Sequence, residues 1–370
     1  MKYLKFVISL VLALIIIEFS IRLIYPQPID HILYEEIFTS RYSESLKENI
    51  RSLKPKISRM KNDIEFAIND DGLRDYNYDK SKDTNTYRIA LVGSSVNFGF
   101  NVHLNETFAK KLEYYLNENV KGEKYEVIIF GRPGYNSKEY YGIFKDKVIH
   151  YNPDLIICSL VQNNLEKYSY QEFENKLKTN RKKDIDDQNH KLHWLNIKNS
   201  KIGKFIRSEF HLYLMTAISI NNIYQEILIS NGMKEKKTVD IDSLNNNFMI
   251  RLNNSLSWLD EIRNDCIKNN SKFSILLHPY EMQFGIDKIN KWRNLGYQLN
   301  NNLFEFHYYK IIKNYCNKNK IYFFDIFNSL INNNYKGTQL YLDSDFAHYS
   351  SEGHDIIAQL LCEKIREKGL

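Results

Sequence analysis

The sequence predicts an α/β fold: a parallel five-stranded sheet covered on both faces by helices, a three-layer arrangement. Two observations carry this. Five short runs, 88–92, 125–130, 155–160, 273–277 and 321–324, are largely apolar and rich in β-branched or aromatic residues, as strands buried on both faces are. Between them, 106–116, 137–150, 248–267 and 303–315 repeat apolar residues at the spacing of an amphipathic helix. Alternating strands and helices pair in parallel through right-handed crossovers, which places helices on both sides of the sheet. A chain of 370 residues accommodates one enlarged domain of this class.

In chain order the first element is apolar. Lys2 and Lys5 precede a largely apolar, charge-free run over 6–17, and apolar character resumes after Glu18 as far as Tyr25. No small-residue cleavage site follows Ile17, so the expectation is an uncleaved signal anchor over 1–25, a transmembrane helix. Glu18 and Arg22 stand at i,i+4 spacing, where they can pair. Lysines ahead of the span favour a cytoplasmic N-terminus and an extracytoplasmic body, periplasmic or at the cell surface. Residues 26–80 read as a stalk and lead-in, with charge-rich 35–61 suited to a helical stalk. The body then runs from 81 to 370, interrupted by a stretch over about 165–247 that is too long for a simple crossover. That stretch reads as a helical insertion.

Composition excludes several functions. Lys and Arg number 51 against 45 Asp and Glu, a net charge of +6, and the two signs are interspersed. No nucleic-acid footprint results. The four cysteines, Cys158, Cys266, Cys316 and Cys362, lie far apart and specify neither a disulfide scaffold nor a zinc site. His190 and His193 form an isolated H-x-x-H without a third ligand. No metal or cofactor is expected.

In open α/β sheets, ligands bind beyond the carboxyl ends of the strands. The first strand delivers Gly93-Ser-Ser95, the second Gly131-Arg-Pro-Gly134, the third Val161-Gln-Asn-Asn164. Near the C-terminus Asp345 and His348 stand three residues apart, ahead of a helix over 351–368. A serine nucleophile needs a base, the base needs an orienting carboxylate, and a developing oxyanion needs aimed donors. Ser95, His348 and Asp345 meet the first two needs. Glycine amides and a carboxamide meet the third. After the fourth strand, His278-Pro-Tyr280-Glu-Met-Gln283 brings polar groups toward the same end of the sheet, so His278, Tyr280 and Gln283 are possible substrate contacts, and a merely polar loop reads equally well.

In these residues the chain resembles the SGNH (GDSL) hydrolase superfamily, whose blocks contribute Ser, Gly, Asn and His in that order. Gly93-Ser-Ser95-Val-Asn-Phe-Gly99 resembles the first block, Gly131 to Gly134 the second, Asn163 the third, and Asp345 with His348 the last. Asn69-Asp-Asp-Gly72-Leu-Arg74 resembles a segment that precedes the first block in anchored bacterial members. The resemblance implies a flavodoxin-like fold and a serine esterase or acyltransferase with catalytic Ser95, Asp345 and His348. It implies an oxyanion hole from the amides of Ser95 and Gly134 and the side chain of Asn163. It also implies a substrate among O-acylated, chiefly O-acetylated, surface glycans, with lipid esters second. Two positions depart from the pattern: Ser94 and Asn164 stand where the family carries Asp. A non-catalytic glycan-binding protein on the same fold is the rival reading.

Overall fold

The computed structural model describes residues 2–24, 37–61, 63–118, 122, 124–162, 165–180, 245–294, 299, 303, 305–332, 335, 339–342 and 345–369. The chain divides into two units; one contains the N-terminal helix, and the other, 39–183 with 238–370, contains the sheet. The helix, α1, runs Lys2–Ile24, and its Phe6, Ile16 and Phe19 side chains are exposed. Among the described residues no helix is long and apolar enough to cross a membrane, so the transmembrane span expected over 1–25 finds no support there.

The sequence suggests a helical stalk over 35–61, and the structure instead builds strands there. β1 (Phe38–Ser43) pairs with β2 (Glu48–Leu53), and β3 (Ile57–Lys61) pairs antiparallel with β4 (Ile64–Ile68). Period-two burial explains the choice: Phe66 and Ile68 of β4 are buried, with less buried Glu65 and Ala67 alternating. Leu46, in the β1–β2 turn, packs so closely on Gly142 that a Cβ there would lie 2.6 Å from Leu46 Cδ1.

β5 (Thr86–Val92) is the first strand of the main sheet. It is followed by α2 (Ser95–Phe98), α3 (Phe108–Asn117), β6 (Lys124–Ile129), α4 (Ser137–Asp146), β7 (Leu155–Leu160) and α5 (Tyr170–Asn180). After the segment outside the described residues come α6 (Asn246–Lys268), β8 (Lys272–Leu277), α7 (Ile286–Asn294), α8 (His307–Lys318), β9 (Tyr322–Phe324), α9 (Ile326–Asn332) and α10 (Ser351–Lys368). The expected insertion falls mostly within 181–244, which lies outside the described residues, as do His190 and His193.

The five strands stand in the order β6-β5-β7-β8-β9, all parallel, with Ala90 opposite both Ile128 and Ile156. Alternate residues feed two cores. Ala90, Val92, Ile128 and Cys158 face Tyr140 of α4, Leu259 of α6 and Ile312 of α8. Ile89, Leu91, Val127 and Ile157 face Leu112 of α3, Trp292 of α7 and Leu361 of α10. The four cysteines are free thiols buried in these layers. At the amino ends of the strands sit structural ion pairs, including buried Arg88 with Glu126 at 2.7 Å. The carboxyl ends carry different chemistry.

Candidate active site

β5 ends at Val92, and the turn that begins at Gly93 is built around a buried side chain. A Cβ on Gly93 would lie 2.3 Å from Asn97 Oδ1, and one on Gly131 would lie 2.4 Å from Asn97 Cβ and 2.9 Å from the Phe98 nitrogen. Only two glycines let α2 sit this low between the ends of β5 and β6. Ser95 is thereby the first residue of α2, raised at the strand end, and Gly99 closes the helix at φ 73°. The carbonyls beyond that short helix are claimed by Arg74, which is 1% exposed. Its Nη1 donates to Phe98 O at 2.8 Å and its Nη2 to Val102 O at 2.7 Å, while its guanidinium lies 4.2 Å from the Phe66 ring centroid. The next residue, Asp75, accepts the Ile129 N–H at 2.7 Å and pairs with Lys110 at 2.8 Å, which fixes the end of β6.

The histidine arrives on a braced loop. Tyr341 and Tyr349 form an antiparallel bridge, the Leu342 N–H donates to His348 O at 3.0 Å, and the Glu281 N–H donates to Phe346 O at 2.9 Å. Ser350 Oγ caps α10 by accepting the Gly353 N–H at 3.0 Å. A Cβ on Gly353 would lie 2.0 Å from Leu340 O, so glycine is obligatory there.

His348 Nε2 lies 2.7 Å from Ser95 Oγ, and His348 Nδ1 lies 2.5 Å from Asp345 Oδ2. Asp345 Oδ1 accepts the N–H groups of Ala347 and His348 at 2.8 and 3.0 Å. Burial alone would raise the Asp345 carboxyl, but the His348 ring and these two amides hold it below the ordinary carboxylate value. An ionised Asp345 keeps the proton on Nδ1, which leaves Nε2 free to accept the Ser95 hydroxyl. Phe100 stacks on the imidazole with centroids 4.7 Å apart.

The sequence-predicted residues divide into groups. Ser95, Asp345 and His348 come together. The Gly131–Gly134 loop abuts the nucleophile turn, with the Arg132 N–H donating to Gly93 O at 3.0 Å and Gly134 at φ 84°. Asn163 and Asn164 lie outside the described residues. His278, Tyr280 and Gln283, expected as possible substrate contacts, are instead enclosed, at 0, 0 and 1% exposure. His278 bonds Ser159 Oγ at 2.6 Å and the Tyr349 hydroxyl at 3.2 Å, and burial pushes it down to about 3, so it stays neutral. Gln283 Oε1 accepts from Gln162 Nε2 at 2.8 Å and from the Tyr280 N–H at 2.9 Å. These three support the histidine loop from inside. His354 likewise packs inside, its Nδ1 accepting the Phe108 N–H at 3.1 Å. Ser94 is buried, and its Oγ has no partner among the described residues.

Sequence reasoning missed Arg74, Phe100 and Gly353. Phe100 immediately follows the first block and could have been marked by position. Arg74 ends the Asn69–Arg74 segment that resembles a lead-in to the first block, but nothing in the sequence assigns its side chain to the nucleophile turn. Among the described residues no three metal-ligating side chains cluster.

No family model and no curated protein matches the chain. Solved structures similar to it include a lipolytic protein of the G-D-S-L family from Desulfitobacterium hafniense, at 10% identity over 75% of this chain and 98% of that one, with a TM-score of 0.36. A catalytic mutant of an acetylxylan esterase from Geobacillus stearothermophilus is similar at 10% identity over 77% and 94%, TM-score 0.41. A GDSL-like lipase from Bacteroides thetaiotaomicron is similar at 13% identity over 76% and 89%, TM-score 0.34. Likeness of this degree carries no inference about activity.

Proposed function

We propose that the chain is an SGNH-type serine ester hydrolase or acyltransferase that acts outside the cytoplasm on ester-linked acyl groups, chiefly O-acetyl, of cell-surface polysaccharide. The observation that carries the reading is the series Ser95–His348–Asp345, bonded at 2.7 and 2.5 Å, which joins two distant parts of the chain. Ser95 Oγ attacks the ester carbonyl carbon as its proton passes to His348 Nε2, and Asp345 stabilises the imidazolium. The oxyanion takes hydrogen bonds from the amides of Ser95 and Gly134 and from the Asn163 carboxamide. Collapse expels the alcohol, which takes the proton back from His348. Water then hydrolyses the acyl enzyme to the acid, or a sugar hydroxyl accepts the acyl group as a new ester.

Membrane attachment through α1 belongs to the same proposal, supported by the lysines ahead of an exposed apolar face. It predicts that the full chain stays with membranes after alkaline carbonate extraction. Release into the supernatant would remove it.

Fluorophosphonate labelling tests the chemistry. The wild-type chain should label at one serine, and Ser95→Ala should lose both label and turnover of an acetyl ester. Asn163→Ala should still label, with turnover lower by roughly a hundred- to a thousand-fold, the usual effect of deleting one oxyanion donor. Turnover surviving in Ser95→Ala would sink the nucleophile assignment. Wild-type protein that binds glycan yet neither labels nor turns over would establish the non-catalytic rival.

A further inference from the structure

We propose that the cleft beside Ser95 takes esters carrying an anionic group, a carboxylate or a phosphodiester, close to the acylated carbon, and that Arg51 of the β1–β2 pair recognises that anion. The proposal rests on the ester-cleaving reading of Ser95 and adds its substrate class.

The geometry starts at Gly134. Among the described residues, a Cβ placed there would meet a single heavy atom within 4 Å, Arg51 Nη1 at 3.9 Å. A guanidinium is therefore the nearest described side chain facing the glycine assigned to the oxyanion hole. The wall it forms is held in place. The Tyr135 hydroxyl donates to the Arg51 carbonyl at 2.5 Å, the Ser45 N–H donates to Asp146 Oδ1 at 3.1 Å, and Lys138 pairs with Glu48 at 2.6 Å. The β1–β2 pair is thus tied both to the residue after Gly134 and to α4.

The buried charge behind this wall, that of Arg132, has no carboxylate partner among the described residues. Arg132, two residues before Gly134, is 2% exposed; its Nη2 donates to Gly72 O at 3.0 Å, and its Nε and Nη1 have no partner among the described residues. No described carboxylate pairs with it, and Arg41 lies within electrostatic reach as a like charge. Lys147 adds to the same field: burial, then Arg132 and Arg41, hold its ammonium down to about 8. Of the neighbouring acids, Asp71 accepts from the Tyr151 hydroxyl, lies 3.6 Å from Lys80 and offsets part of the charge on Lys147, while Asp146 accepts the Ser45 N–H; among the described residues neither pairs with Arg132. A neutral ester gains nothing from such a field, whereas an anion beside the acylated carbon meets the exposed Arg51 backed by the buried Arg132.

The test compares three substrates of the full chain: O-acetylated oligogalacturonate, O-acetylated poly(ribitol phosphate) and O-acetylated xylo-oligosaccharide. At least one anionic substrate should exceed the neutral one in kcat/KM by about tenfold, a preference that fades as salt rises from about 0.05 to about 0.5 M. The first two arms separate carboxylate from phosphate. Arg51→Gln should cut the anionic-to-neutral ratio by about fivefold, the most that one exposed charge pair usually yields, with the change carried by KM. Equal kcat/KM on all three, or equal losses on all three in Arg51→Gln, would overturn the subsite, because cations serving only the oxyanion favour every ester alike.

A binding arm separates this proposal from the catalytic one. In Ser95→Ala, de-acetylated oligogalacturonate or poly(ribitol phosphate) should bind more tightly than xylo-oligosaccharide and lose that advantage with Arg51→Gln. Loss of fluorophosphonate labelling with this preference intact would remove the esterase and keep the anion site. Labelling intact with no preference would do the reverse.

Discussion

At the scale of single residues the most consequential groups are charged side chains held out of water. Glu166, three residues beyond Asn163, accepts the Lys138 N–H at 2.9 Å, while its own N–H donates to Ser255 Oγ at 2.8 Å. Burial, reinforced by Glu139, pushes its carboxyl up to about 7. Because the folded-state value is raised, its contribution to stability is fully present below the unfolded value of about 4.3 and is lost as pH rises through about 7. Glu166→Gln keeps an oxygen acceptor for Lys138 without the charge. Urea unfolding at pH 5 and pH 8 should show the wild type losing up to about 3 kcal/mol more than the variant between them. Identical pH dependence would show that Glu166 is ionised at no cost. The same class of residue marks where sequence reading stops. Arg74 and His278 are polar in the sequence and enclosed in the fold, and no local pattern distinguishes a polar side chain lining a cleft from one satisfied inside.

At the scale of elements, legibility followed burial. β7 and α10 fall at the bounds the pattern predicts, because β7 is apolar throughout and α10 carries a serine cap with helical spacing. β1 to β4 were not legible: they are short, charged and half-exposed, and pairing partners rather than apolar runs decide them. Asp345 and His348 were legible as a pair three apart, but the bracing of their loop was not, since it depends on a carbonyl meeting a glycine. Gly353→Ala tests that bracing. Its Cβ would strike a backbone oxygen, which cannot rotate away, so thermal or urea unfolding should show a loss of about 1–3 kcal/mol, the usual range for overpacking. Since Leu340 also holds the loop through the Ser350 N–H, turnover per folded molecule should fall as well. Unchanged turnover in the folded fraction would show that the loop is positioned by Tyr341 and Tyr349 alone.

At the scale of the whole molecule, the parallel five-stranded sheet with helices on both faces was readable once strands and helices alternated, because such alternation pairs strands through right-handed crossovers. What alternation does not convey is which distant segments complete the cleft. The Ser95–His348 bond joins residues 253 apart, and the bond between the Phe108 N–H and His354, behind α3, joins residues 246 apart. Such contacts form only after a long loop has closed, at an entropic cost that local helices and neighbouring strands do not bear. During refolding from urea the sheet can therefore assemble with its serine in place and its base absent. Far-ultraviolet circular dichroism should recover first and reactivity of Ser95 toward a fluorophosphonate later, with α10 docking on α3 as the step that separates them. Simultaneous recovery would show that the C-terminal helix joins the folding nucleus from the start.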